Sequence, residues 1–274
     1  AELSLREYKS GELYAKVLKE EGFTVEHPFD NIETAFRASY GSGKPVIGIL
    51  GEYDALSGLS QNAGATEREE LVTGGCGHGC GHNLLGVGSV AAALAVKKYL
   101  EDGHEGTVVY YGCPGEEGGS GKAFMARGGA FKDLDCALTW HPSTVNAVSK
   151  DSSLANFQVL YSFKGISAHA AGCPEMGRSA LDGLELMNVG TNFLREHMLD
   201  KARVHYAIID TGGYSPNVVQ SEAKAIYLIR APKVGEALEL YKRVDKIAQG
   251  AALMTETEVE KSLIKSCANM VSNR

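Results

Sequence analysis

Apolar positions fall into two textures along this chain, and the change between them divides it. Residues 3–20, "LSLREYKSGELYAKVLKE", place apolar side chains at helical spacing and are closed by Gly22. The run "PVIGIL" (45–50) is short, apolar and rich in β-branched residues, and it passes into the acidic turn "GEYDAL". The spacing predicts a helix from Asn83 to Leu100, with Asn83 as its N-cap. A second apolar run, "TVVYYG" (107–112), enters the glycine loop "CPGEEGGSGKAFMARGG", and a third, "CALTW" (136–140), stops at His141-Pro142. Strand, loop and helix repeated in this way predict an α/β domain with a mainly parallel sheet, because strands covered on both faces read as continuous apolar runs. Open sheets of this class form their sites outside the carboxyl ends of the strands. Here those ends carry Glu52 and Asp54, Glu116 and Glu117, and His141.

Around residues 148–155 the texture changes. "NFQVLYSFKG" (156–165) alternates like a half-exposed strand, 179–198 is helical, and 204–210 and 223–231 read as strands. A helix over 235–256 and an alternating strand over 258–267 complete the order β-α-β-β-α-β, which is that of a ferredoxin-like layer. The expected division is a catalytic metal-binding domain over 1–152 and a ferredoxin-like domain over 153–270.

Composition narrows the class. Of 274 residues, 44% are hydrophobic and 22% charged, as in soluble globular proteins. A net charge of −7 without a clustered Lys/Arg run argues against a nucleic-acid surface. The longest apolar stretch, "LLGVGSVAAALAV", is too short to span a bilayer and reads as a packed helix, so no membrane partner is expected. The chain shows no signal peptide, and its start without Met reads as a trimmed or partial sequence. Cysteines 76, 80, 113, 136, 173 and 267 have no framework spacing, which predicts reduced thiols in a cytoplasmic protein.

The densest chemistry is "GGCGHGCGHN" (74–83), where Cys76, His78, Cys80 and His82 alternate with glycines. An extended run rises about 3.3 Å per residue, so Cys76 and His82 would lie roughly 20 Å apart. Metal bonds are only about 2.0–2.3 Å long, so one ion takes two neighbours from this run and needs ligands from elsewhere. Cys80 and His82 are favoured because they adjoin the predicted helix, whose positive N-terminal end favours a thiolate. In "PGEEGG" (114–119) two adjacent carboxylates form either a solvated acidic turn or a divided pair, one on an ion and one taking a proton from water. His141 ends a strand, and Asp54 is either a ligand or, as favoured here, a carboxylate that orients a histidine ligand from behind. His78 is given the same supporting place. Further on, His169 in "KGISAHAAGCP" and Asn217 in "TGGYSPNVV" sit in loops of small residues, with plain turn roles as the alternative.

The motifs "HGCGHN", "PGEEGG", "TWHP", "GISAHAA" and "GGYSPNVV" occur in the order seen in the M20 metallopeptidase and amidohydrolase superfamily, which this chain resembles. The likeness spans essentially the whole chain and is greatest for the branch that hydrolyses N-acyl amino acids. It implies a catalytic α/β domain with two divalent metal ions, manganese or zinc, and a ferredoxin-like lid that also mediates dimerisation with an identical or different subunit. It implies Cys80, His82, Glu117 and His141 as metal ligands and Glu116 as the general base that activates water and protonates the leaving amine. His169 would steady the tetrahedral intermediate, Asn217 would contact substrate, and Arg230 is a candidate for the substrate carboxylate. The implied reaction is hydrolysis of the amide in a small N-acyl amino acid such as p-aminobenzoyl-glutamate. Members of the superfamily continue past the lid to deliver a last histidine ligand, and here the chain stops at "SCANMVSNR". A truncated, inactive fragment that dimerises or binds ligand is therefore the competing expectation. A structural zinc module is a third, disfavoured by the large apolar content. Ser57 stands where relatives carry proline or another small residue.

Overall fold

The structure is a computed structural model that describes residues 1–148 and 152–272. It divides into two compact units, residues 1–146 and 147–274. The texture change expected over 148–155 falls partly on 149–151, outside the described residues.

The first unit contains α1 (Tyr8–Glu20), β1 (Thr24–Glu26), β2 (Phe36–Ser42), β3 (Val46–Gly51), α2 (His82–Glu101), β4 (Gly106–Gly112), α3 (Gly121–Gly128) and β5 (Cys136–Leu138). Its five strands lie in the order β1-β2-β4-β3-β5. β3 runs parallel to β4 and β5, as the strand-loop-helix reading requires. β2 is antiparallel to β4 and to β1, so the sheet is mixed where the sequence predicted a mainly parallel one. The apolar run in β4 lies at the middle of the sheet, with Val108, Val109, Tyr110 and Tyr111 all buried. On one face Tyr110 stacks on Phe36 with centroids 5.5 Å apart, against Leu18 of α1 and Ala93 of α2. On the other, Val109 and Tyr111 pack on Met125 of α3. Helices on both faces bury β4 completely, which is why its sequence shows no alternation.

α2 begins one residue earlier than expected. Gly81 is its N-cap, in the left-handed region at φ 79°, and Asn83 lies inside the first turn. A side chain at 81 would be strained there and would crowd Pro142, so glycine lets the helix start at His82.

The second unit contains β6 (Ala155–Lys164), α4 (Ala180–Leu194), β7 (Arg203–Asp210), β8 (Glu222–Ala231), α5 (Val234–Thr255) and β9 (Glu258–Cys267). The sheet order is β7-β8-β6-β9, antiparallel throughout, with β-α-β-β-α-β connectivity and thus a ferredoxin-like layer. Alternate residues Val159, Tyr161 and Phe163 of β6 and Tyr227 and Ile229 of β8 face Leu184 and Met187 of α4 and Val244 of α5. Ser179 caps α4, its hydroxyl accepting the Asp182 N–H at 3.1 Å. The fold is therefore α/β with a second α+β layer. Among the described residues no helix is long and apolar enough to cross a membrane. All six cysteines are free.

Candidate metal centre

The carboxyl end of β3, the start of α2, the loop after β4 and the end of β5 meet in the first unit. His82, the first residue of α2, is fully buried there between two carboxylates from one turn. Its Nδ1 is 2.8 Å from Asp54 Oδ1, and its Nε2 is 3.1 Å from Glu52 Oε2 and 4.0 Å from Glu116 Oε2. Cys80 Sγ lies 3.3 Å from His141 Nε2. Donor atoms of Cys80, His82 and His141 are mutually within 4.8 Å, and so are those of Glu52, His82 and Glu116.

Local hydrogen bonds set both imidazoles. Asp54 Oδ1 accepts a hydrogen bond from His82 Nδ1, and the Pro142 carbonyl accepts from His141 Nδ1 at 2.9 Å. Each ring therefore turns a bare Nε2 inward, as ligating histidines do when the other nitrogen is held from behind. Asp54 also accepts from Ser4 Oγ at 2.7 Å and from the Glu117 N–H at 3.0 Å. Burial works to raise the Asp54 carboxyl, but these bonds and His82 outweigh it and hold the group below its ordinary range.

The loop after β4 is pinned from three sides. Gly115 N–H donates to Glu7 Oε1 at 2.8 Å, Gly118 N–H to Ser4 Oγ at 2.9 Å, and Glu117 N–H to Asp54. This presents Glu116 half-exposed beside His82 and leaves Glu117 Oε1 buried without a hydrogen-bond partner among the described residues. His82 Nε2 and Glu52 Oε2 are likewise buried and without one. His82 thus shares one donor group with Cys80 and His141 and a second with Glu52 and Glu116, sets that fit a divalent cation, whereas the predicted ligand Glu117 falls in neither group.

One electrostatic expectation is corrected. The helix end predicts a depressed pKa for Cys80, yet the thiol is pushed up to about 11. Burial is the main cause, followed by the carboxylate of Glu117, and then Glu116 and Glu52. Without a cation this thiol stays neutral.

Other predicted residues separate. Cys76 turns to the chain start, its thiol 3.0 Å from the Ala1 carbonyl oxygen. His78 joins neither donor cluster; it lines an apolar cavity with Tyr14, Tyr53 and Asn83, and burial lowers its pKa. In the second unit His169 and Asn217 meet: Ala170 N–H donates to the Asn217 carbonyl at 2.9 Å, and His169 bridges to Val218. Arg230 does not join them. It pairs with Asn156 and Arg203, eight residues along β8 from Glu222 at the loop end, or about 26 Å at strand rise.

Sequence reasoning left Glu52 and Lys122 out of the site. The Lys122 ammonium of α3 is paired with Glu52 Oε1. The available signal was the E-x-D spacing, which puts Glu52 and Asp54 on one side of an extended segment.

Peptidase family M20/M25/M40 matches residues 48–268, and the chain belongs to that family. The chain is 57% identical over all 274 residues to a p-aminobenzoyl-glutamate hydrolase subunit of Escherichia coli, covering 57% of that protein. It is 34% identical over 243 residues to the Xaa-Arg dipeptidase of Mus musculus, covering 85% of this chain and 52% of the relative. The chain thus spans about half the length of the curated relatives it matches. A crystal structure of a dinuclear metal-binding peptidase of the M20 family from Bacillus subtilis superposes with a TM-score of 0.70 at 19% identity. That match covers 100% of this chain and 72% of the other, and at such identity it shows a shared fold.

Proposed function

We propose that this chain carries the metal centre of an amidohydrolase that cleaves N-acyl amino acids, p-aminobenzoyl-glutamate foremost. The observation that carries the reading is the inward convergence of His82 Nε2, His141 Nε2 and Cys80 Sγ beside the half-exposed Glu116. Cys80, His82, Glu117 and His141 are the residues that would hold divalent ions, two in the complete site. Bound there, such ions supply Lewis acidity toward the scissile carbonyl and lower the pKa of water. The thiolate favours zinc by softness, and the family likeness favours manganese.

The remaining chemistry belongs to the chain. Glu116 keeps solvent access and extends from a loop held by Ser4, Asp54 and Glu7. Its Oε2 takes the proton of the attacking water and returns it to the nitrogen of the leaving amine. His169 Nδ1 accepts the N–H groups of Ala171 at 3.2 Å and Gly172 at 3.0 Å. The ring proton is therefore on Nε2, and the family likeness would have this nitrogen donate to the oxygen of the tetrahedral intermediate, from this chain's lid or a partner's. The Asn217 side chain would serve substrate from the adjoining loop, and Arg230, further along β8, would meet the substrate carboxylate. That the Escherichia coli relative is itself one subunit of a hydrolase supports assembly with a further subunit, and six free cysteines support a reducing, cytoplasmic setting.

The test is metal analysis of purified protein together with turnover of p-aminobenzoyl-glutamate, for the wild type and Glu116→Ala. The expected result is stoichiometric metal in both and a loss of turnover of about 10²–10⁴-fold in the variant, the scale of a general base. Stoichiometric metal without turnover in the wild type refutes the hydrolytic reading of this chain.

A further inference from the structure

Glu52 is an ionisable side chain only 5% exposed, and one of its oxygens has no hydrogen-bond partner among the described residues. Lys122 holds Oε1, and this fixes where Oε2 points. Oε2 faces His82 Nε2 at 3.1 Å, and Nε2 has surrendered the ring proton to the Asp54 side. Two bare atoms therefore stand 3.1 Å apart in a dry place with no hydrogen bond between them, an arrangement that a cation touching both would satisfy. With bonds of about 2.0–2.2 Å, two adjacent donors on one tetrahedral or octahedral ion stand about 3.0–3.4 Å apart. The Glu52–His82 separation falls in that interval.

We propose that Glu52 is a direct donor to a divalent cation, through Oε2, alongside His82. The claim rests on the metal centre described above and adds a ligand to it. It also makes the centre two-sided. Glu52 gives an oxygen side beside the unligated base Glu116, suited to a hard ion such as manganese, while Cys80 and His141 form a sulfur and imidazole side, suited to zinc. Lys122 acts as a positioning residue, because its contact with Oε1 directs Oε2 inward.

Calorimetric titration of metal-stripped protein with MnCl2 and, separately, ZnCl2 tests this, with the electron paramagnetic resonance spectrum of bound Mn2+ as a second readout. Glu52→Gln retains the shape and a Lys122 acceptor but removes the charge. It is expected to weaken Mn2+ binding tenfold or more and Zn2+ binding less than threefold, with Cys80→Ser showing the reverse bias. Unchanged Mn2+ affinity in a folded Glu52→Gln protein overturns the proposal, and equal losses for both ions overturn the two-sided assignment. Glu52→Asp guards against misfolding: it keeps the charge but withdraws the oxygen by about 1.5 Å, one carbon–carbon bond. A direct donor then loses at least threefold in Mn2+ affinity, whereas full retention overturns direct contact. If the wild type binds neither ion, the hydrolase reading falls as well; if it binds both and Glu52→Gln is silent, only this inference falls.

Discussion

Replacing Asp54 by Asn isolates how the backing of His82 tunes the centre. Asp54 Oδ2 accepts two hydrogen bonds, from Ser4 Oγ and the Glu117 N–H, whereas Oδ1 accepts one, from His82 Nδ1. An asparagine fills the same volume but offers one acceptor oxygen. Keeping that oxygen toward Ser4 and Glu117 preserves two bonds, so the amide NH2 turns toward His82. Nδ1 must then accept, the ring proton moves to Nε2, and the inward lone pair is lost. Loss of such a backing carboxylate weakens metal affinity about 10–100-fold, or about 1.4–2.7 kcal/mol. Titration of metal-stripped protein with ZnCl2 measures this loss, and nitrogen-15 spectra of the histidine ring read the tautomer without any metal. A variant with wild-type affinity whose His82 proton remains on Nδ1 refutes the reasoning.

Two further outcomes follow from the same geometry. Cys80 in metal-free protein should resist iodoacetamide at pH 8 and gain reactivity with a midpoint near about 11, because its thiol is neutral below that value; peptide mapping that finds a midpoint at or below the ordinary thiol range refutes the burial and carboxylate argument. Tyr227→Phe removes the hydroxyl that donates to the buried Asn188 Oδ1 and is expected to lower stability by about 1–3 kcal/mol; urea denaturation measures it, and a loss below about 0.5 kcal/mol shows that Asn188 finds another donor.

Much of the fold is legible because its strands carry two unmistakable signatures. β4 and β3 are largely apolar runs, and most of β6 and β8 alternate buried with partly exposed positions, so the two layers differ in texture. β1 and β2 carry neither signature. β1 has three residues, and β2 reads "FRASYGS", whose buried Phe36 and Ala38 are diluted by Arg37, Ser39 and a trailing glycine. Without them a mixed sheet reads as a mainly parallel one. At the site, residues at strand ends are legible as a set, and Cys80, His82 and His141 do cluster. Glu52 is visible at a strand end but not as a member of the site, because only tertiary contact with His82 and Lys122 shows it to be buried. The Cys80 thiol misleads for a related reason. A helix terminus is visible in sequence, but the carboxylates brought up from residues 52, 116 and 117 are not.

The straps on the glutamate loop bear on when the centre comes into being. Glu7 grips Gly115 across 108 residues and Ser4 grips Gly118 across 114. The entropy of closing such loops changes slowly with length, but each closure must happen before its contact exists. By contrast, Cys80 and His82 bring sulfur and imidazole together within two positions of any chain, folded or nascent. That pair is therefore available early, whereas the loop that carries Glu116 and Glu117 is set only when the two ends of the unit have found each other. In the two-sided centre proposed above, selectivity for a hard ion would be acquired at the end of folding, and the ion held by a maturing chain would not have to be the ion held by the finished one.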